Sequence, residues 1–264
     1  QAGEVVKRSS WGVKGGRGGR ERGDSGAMAL DEARSLLATL KGIVVGGKGG
    51  DAGPTISSLK RCMINFVALP PRCGPSDTAR DELLTARETL EMAALWALQQ
   101  GDDAAFQRAM TQLAVYYVDF KELLPQSELH YTITGLNLVH MLVSDRRADF
   151  HTDLELLSME ERANPHVAFA IQLDTYLTEG QYNKVMAAGQ AMPSEHYTPF
   201  LERIKDTVRL DIAACISSAY KSLTYASARK LLLLGGADSE LEEFVREQEG
   251  WSLRGGAVHF DAHD

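Results

Sequence analysis

Gly101-Asp-Asp-Ala-Ala-Phe106 stops one helix and starts another. Ahead of it, Ser76 or Asp77 caps a helix predicted to run to about Gln100. Behind it, Phe106, Met110, Leu113, Tyr117 and Phe120 recur along one helical face. The same break returns as Asp145-Arg-Arg-Ala-Asp-Phe150, and more loosely as Gly180-Gln-Tyr-Asn-Lys-Val185. A very apolar helix over about 128–143 precedes the second break, and a helix carrying Phe150, Leu154 and Leu157 follows it. Before the third, Asn164 reads as an N-cap with Pro165 at the first helical position, and the helix runs to Leu177. Tyr182, Val185 and Met186 begin its partner. The anchors at 106, 150 and 185 lie 44 and 35 residues apart. Helical hairpins of about 34–47 residues that stack on one another make an α-solenoid. A non-repetitive helical bundle is the competing reading.

Toward the N-terminus the pattern continues and then fades. Ile56, Leu59, Met63 and Phe66 predict a helix stopped by Pro70-Pro71, and Leu30, Ala33, Leu37 and Leu40 predict another, with a glycine loop over 46–53 between them. Residues 1–27 hold eight glycines and six Lys or Arg against three acids, with few large apolar residues. Such a segment cannot offset its ordering entropy by burial and is expected to be a disordered, basic leader. The chain opens on Gln1, and Met28-Ala29-Leu30 offers an alternative start. The helical-repeat domain is therefore expected over 28–192.

Toward the C-terminus the architecture changes. Thr198-Pro199 opens a helix, and Val208, Ile212, Cys215, Ile216, Ala219 and Leu223 form a stripe at helical spacing. A short helix over about 224–234 ends at Gly235-Gly236. Ser239-Glu-Leu-Glu242 is a capping box opening a third helix to about Glu249, and Gly250 stops it. Trp251-Ser-Leu253 and Ala257-Val-His-Phe260 read as two short strands joined through Arg254-Gly-Gly. Three helices and a hairpin are the order of a winged helix, expected over 193–264. The fold class is mainly α: a solenoid of helical hairpins followed by a winged helix.

Composition and motifs exclude several functions. The 264 residues carry 28 Lys and Arg against 36 Asp and Glu, a net charge of −8, where a nucleic-acid binder shows a basic surplus. The third winged-helix helix, which would enter a groove, carries six acids over 238–249 against Arg246 alone. Phosphate would repel it along its length, so this winged helix is expected to bind protein. No apolar run is long enough to cross a membrane. Cys62, Cys73 and Cys215 are odd in number and scattered, which fits no disulfide scaffold and points to a reducing compartment. Gly42-Ile-Val-Val-Gly-Gly47-Lys48 matches part of a phosphate-binding loop, but Gly49 stands where Ser or Thr should hold the metal. None of the seven histidines falls in a metalloprotease pattern, and His140 sits among Leu138, Val139, Met141 and Leu142 as a core or interface residue. No nucleophile elbow occurs, and the many carboxylates fall on helical faces, where a solvated surface is expected. No enzyme, cofactor or metal is therefore expected. The apolar hairpin residues Trp251, Leu253, Val258 and Phe260 are the candidate interface. They can pack on their own helices, and the hairpin edge can also pair with a neighbour's strand.

A helical array feeding a winged helix resembles the PCI domain, and longer strings narrow the likeness. Ala109-Met-Thr-Gln-Leu-Ala-Val-Tyr-Tyr-Val-Asp-Phe120 with Lys121-Glu-Leu-Leu-Pro125 resembles the proteasome non-ATPase regulatory subunit 8 family. So do Gly135-Leu-Asn-Leu138, Asp149-Phe-His-Thr-Asp-Leu-Glu155, Glu179-Gly-Gln-Tyr-Asn-Lys-Val185, Asp206-Thr-Val-Arg-Leu-Asp-Ile-Ala-Ala-Cys215 and Gly250-Trp251. The resemblance covers about 56–260. It implies a non-catalytic structural subunit of the lid of the 26S proteasome regulatory particle, in the cytoplasm and nucleus. Its partners would be other lid subunits, met through winged helices placed side by side in a hetero-oligomer, with no nucleic acid and no membrane. The resemblance also implies a further C-terminal helix beyond the wing, whereas this sequence runs to Asp264. The alternatives are a PCI scaffold subunit of the COP9 signalosome or of a translation initiation complex, and an RNA-binding PCI protein.

Overall fold

A computed structural model describes residues 20–46, 50–70, 78–234 and 238–260. The chain divides into two compact units, one up to Ile133 and one from Thr134. The change from helical hairpins to winged helix, expected at 192/193, falls within the second unit.

The first unit begins with α1 (Arg20–Val44), which packs on α2 (Gly53–Met63) and α3 (Ala79–Gln100). Residues 1–19 of the expected leader lie outside the described residues. From Arg20 the backbone is already helical, so the disordered reading of 20–27 is corrected. A helix nucleated by the apolar stripe of 29–44 propagates backward at the cost of one residue per hydrogen bond. Gly42 stands in the last turn of α1, so the partial phosphate-loop motif begins on a helix and not on a strand. α2 ends at Met63, well before Pro70, and Phe66 is buried beyond it in a turn. Ser76 and Asp77 lie outside the described residues; Thr78 is the N-cap residue of α3. α3 and α4 (Asp103–Val118) form the first hairpin. α5 (His130–Val143) crosses from the first unit into the second.

The second unit continues with α6 (Arg147–Glu155), α7 (Met159–Arg162), α8 (Pro165–Thr178) and α9 (Tyr182–Ala187). α7 was not anticipated, although Ser158-Met-Glu-Glu161 spells its capping box: Ser158 Oγ accepts from Glu161 N–H, and Glu161 accepts from Ser158 N–H. Asn164 caps α8 as expected, its Oδ1 accepting from His166 N–H at 3.1 Å.

The three aligned breaks are one structure repeated. Gly101, Asp145 and Gly180 take φ of 70°, 54° and 66°. In each, the next residue donates back across the helix end: Asp102 to Ala97, Arg146 to Met141, Gln181 to Tyr176, at 2.8–2.9 Å. The left-handed residue itself donates to the carbonyl three before it. This is the Schellman closure, which satisfies carbonyls the helix would otherwise leave open. Five residues beyond each left-handed residue, Phe106, Phe150 and Val185 are fully buried. The repeat seen in sequence is therefore a repeated stop and a repeated anchor.

α10 (Thr198–Ala219) leads into the winged helix. Strand β1 (Ser222–Thr224), α11 (Tyr225–Leu231), α12 (Asp238–Glu247), β2 (Trp251–Arg254) and β3 (Ala257–Phe260) follow. β1 corrects the sequence reading, which carried the α10 stripe on to Leu223. The helix ends at Ala219, Tyr220 is extended, and Leu223 reaches the core from the strand. Cys215 is exposed, and Ala213 takes the buried place instead. α12 starts two residues earlier than its capping box predicts, so Ser239 stands inside the first turn.

Candidate protein interface

The winged helix closes on a core of Ala213, Ile216, Ala228, Leu232, Leu241, Val245, Val258 and Phe260. The sheet order is β1-β3-β2, antiparallel throughout, so β1 and β2 are both edge strands. Arg254 and Ala257 flank a two-residue turn whose Gly255 and Gly256 have φ of 57° and 78°. That conformation is the type I′ turn, which suits the strand twist and which glycine adopts without a Cβ penalty.

Pairing alternation fixes which main-chain groups are free. The pair flanking such a turn exchanges hydrogen bonds, and every second pair thereafter does so. Arg254–Ala257 and Ser252–His259 therefore bond across β2 and β3, and the N–H and C=O of Trp251 and Leu253 point away from β3. On the other side, Phe260 N–H donates to Lys221 at 3.0 Å and Tyr225 N–H to Gly256 at 3.3 Å. This phase turns the N–H and C=O of Ser222 and Thr224 outward. Among the described residues, no strand pairs with either edge.

The four candidate residues divide in a way the sequence reading did not separate. The side chains of Val258 and Phe260 belong to the protein's own core, at 0% and 7% exposure. Trp251 and Leu253 are half-buried against the same core. Trp251 meets Phe260 edge-on at 4.7 Å and Phe244 at 6.0 Å. These side chains pack within the winged helix itself. What the strand offers a neighbour is main chain at Trp251 and Leu253.

α12 is buried along Leu241 and Val245 and presents Glu240, Glu243, Arg246 and Glu247 outward. Arg246 sits 4.0 Å from Glu242, so the one cation of this helix is matched within it. The acidic sign of the surface that a nucleic-acid reader would use stands.

The first unit holds a polar cluster that sequence reading missed. Carboxylates on helical faces are expected to be solvated, but Glu82 and Glu91, on α3, are 1% and 2% exposed. One Glu82 oxygen accepts from the N–H groups of Val67 and Ala68, and the other from the Thr78 hydroxyl. Glu91 accepts from Tyr117 at 3.0 Å and Ser127 at 2.9 Å. Arg87 Nε lies 3.5 Å from Glu91 as an ion pair, and its Nη1 donates to the Pro125 carbonyl. Burial raises the Glu91 pKa against the pull of these donors, and burial together with the neighbouring Glu91 charge raises that of Tyr117. Every polar atom described here faces another side chain or a loop backbone. The cluster ties the α4–α5 connection to α3. Among the described residues, no group of three His, Cys, Asp or Glu could hold a metal ion, and no helix is long and apolar enough to cross a membrane. His140 is buried and meets Phe200 edge-on at 5.6 Å.

Comparison with known proteins places the chain. The sequence pattern of the CSN8/PSMD8/EIF3K family matches residues 128–264, from α5 through the winged helix. The chain is 37% identical over 206 residues to 26S proteasome non-ATPase regulatory subunit 8 homolog A of Arabidopsis thaliana, covering 78% of this chain and 77% of that one. The chain belongs to the CSN8/PSMD8/EIF3K family. It is also 31% identical over 183 residues to 26S proteasome non-ATPase regulatory subunit 8 of Caenorhabditis elegans, covering 69% of this chain and 71% of that one. With 26S proteasome regulatory subunit rpn12 of Schizosaccharomyces pombe it shares 32% identity over 178 residues, 66% of this chain and 64% of that one. In this family member, Tyr117 and Pro125 lie in the strings that carry the resemblance, and both serve the buried Arg87–Glu91 pair. Asn137, in another of them, donates to Asp153 at 3.4 Å and ties α5 to α6.

Proposed function

We propose that this chain is a non-catalytic structural subunit of the lid of the 26S proteasome regulatory particle, acting in lid assembly and so in ubiquitin-dependent protein degradation. The observation that carries the reading is its similarity, over most of its length, to curated proteins named as regulatory subunit 8 of that particle. Several geometric features support an assembly role. Both edges of the winged-helix sheet present unpaired main chain. The outward surface of α12 is acidic, which disfavours nucleic acid as the partner. The buried carboxylates are engaged by neighbouring side chains and loop backbone, as structural groups are. The partners are other lid subunits in a hetero-oligomer. The winged helix meets them by adding strand to strand, in the cytoplasm and nucleus, without membrane, nucleic acid or cofactor.

Affinity purification of the tagged chain from its own cells, with mass spectrometry of what accompanies it, tests the reading. Proteasomal ATPases together with lid subunits are the expected companions. Recovery with signalosome or initiation-complex subunits alone would overturn it.

A further inference from the structure

The start of α10 is seated in a notch that only glycine leaves open. A Cβ at Gly135 on α5 would lie 2.3 Å from the Tyr197 hydroxyl and 2.8 Å from the carbonyl oxygen of His166 on α8. Real carbon atoms do not approach so closely, so the Tyr197 oxygen occupies the space a side chain would take. Tyr197 is fully buried. Its hydroxyl bonds His166 Nδ1 at 3.1 Å, its ring stacks on His166, and Phe169 meets it edge-on at 5.3 Å. Tyr197 is also the last residue before α10, whose first turns are buried through Phe200, Leu201 and Ile204. Further along the same helix, Ala213 and Ile216 are winged-helix core.

α10 is thus a lever with one end in the helical hairpins and the other in the winged helix. Its 22 residues rise 1.5 Å each, so it is about 33 Å long, and a tilt of about 5° at its start carries its far end about 3 Å sideways. A displacement of that size approaches the spacing of neighbouring strands, about 4.8 Å, and spoils strand-to-strand registry. We infer that Gly135 and Tyr197 are positioning residues: the oxygen of one seated in the notch of the other aims α10 and thereby the free edges of the winged-helix sheet. The inference rests on the assembly reading proposed above for its consequence, but not for its geometry.

The test measures the aim directly. In the full chain carrying Cys62→Ser, Cys73→Ser and Cys215→Ser, spin labels are attached at Gln172→Cys on α8 and Glu243→Cys on α12, both exposed. Pulsed electron-spin distances are then compared between variants. Gly135→Ala is expected to move the mean distance by about 3 Å while helix content is retained. Tyr197→Phe empties the notch of its oxygen and is expected to broaden the distribution about an unchanged mean. Gly135→Ala with Tyr197→Phe removes the hydroxyl that the methyl group meets first but keeps the close approach to the His166 carbonyl, so it is expected to return the mean part of the way toward wild type. A merely structural Gly135 would give additive damage in the pair, and that result overturns the inference. Should Gly135→Ala alone not fold, the Tyr197→Phe distribution decides, and an unbroadened one overturns the inference. Incorporation into the regulatory particle is measured in parallel and should fall with Gly135→Ala and recover in part in the pair. A wild-type chain that never enters the particle would sink the assembly reading and leave the distances to judge this one.

Discussion

Removing the Glu91 carboxylate strands a buried cation. Glu91→Leu keeps the size and the helix preference of the position but leaves Arg87, whose side chain is 6% exposed, without its partner. Breaking such a pair from one side costs about 3–5 kcal/mol, because the remaining charge stays out of water. Tyr117 and Ser127 lose their acceptor as well, although these losses overlap with the first and do not simply add. Domains of this kind have about 5–15 kcal/mol to lose, so the variant should be severely destabilised. Arg87→Met combined with Glu91→Leu removes both charges and should recover at least about 2 kcal/mol of that loss. The assay is urea unfolding followed by circular dichroism at neutral pH. If the double variant is no more stable than Glu91→Leu, Arg87 is not stranded and the reasoning fails. A pH scan gives a second check. The Glu91 pKa is raised in the folded state by burial. Its contribution is thus fully present below the ordinary carboxylate value of 4.5 and is lost as pH rises through the raised folded value. Glu91→Gln removes that titration and should flatten the stability curve above about pH 4.5.

Three shorter predictions follow from other sites. Asp145 holds the left-handed position of the second break at φ 54° with a side chain, where its counterparts are glycine. Asp145→Gly should therefore stabilise the chain by about 0.5–1 kcal/mol, read as a higher urea midpoint; a lower midpoint would contradict the Schellman reading. Ser222→Pro deletes an outward N–H of β1 and nothing that pairs with β3, so it should cost less than about 0.5 kcal/mol of stability. Assembly through that edge would be lost and assembly through β2 kept, which a pull-down from cells distinguishes. Burial lowers the pKa of His166, and that of His196 against the pull of Glu195. Both rings fold as neutral groups, so their contribution is present above the ordinary value of 6.5 and is lost as pH falls through the lowered folded values. The urea midpoint should drop as pH falls below about 6.5, and His196→Asn should reduce that drop.

Local rules carried the sequence reading as far as local rules reach. The three breaks were legible because a Schellman stop needs one left-handed residue and one buried anchor within six positions, and Gly101 to Phe106 spells both. The wing hairpin was legible for the same reason, since Gly255-Gly256 between two alternating strands leaves little choice of turn. β1 was not, because Ser222-Leu-Thr224 has no strand signal of its own and exists as a strand only by pairing with residues 257–259. Nor was the burial of Glu82 and Glu91. An acid on a helix reads as solvent-facing until the loop N–H groups and hydroxyls that approach it are known, and these come from 14, 26 and 36 positions away.

The same distinction explains why whole strings, and not single motifs, carried the family likeness. An apolar stripe can be refilled by many sequences, since volume and spacing are all it must keep. A tyrosine that donates to a buried carboxylate and a glycine that makes room for a hydroxyl each have a partner that few other residue types fit. Tyr117 and Gly135 are such residues, and both fall in the strings that resemble the family. Their demands tie α3 to α4 in one unit and α5 to the start of α10 in the other. What identifies this chain in sequence is therefore also what fixes its helices in place, and the winged helix inherits that fixing through α10.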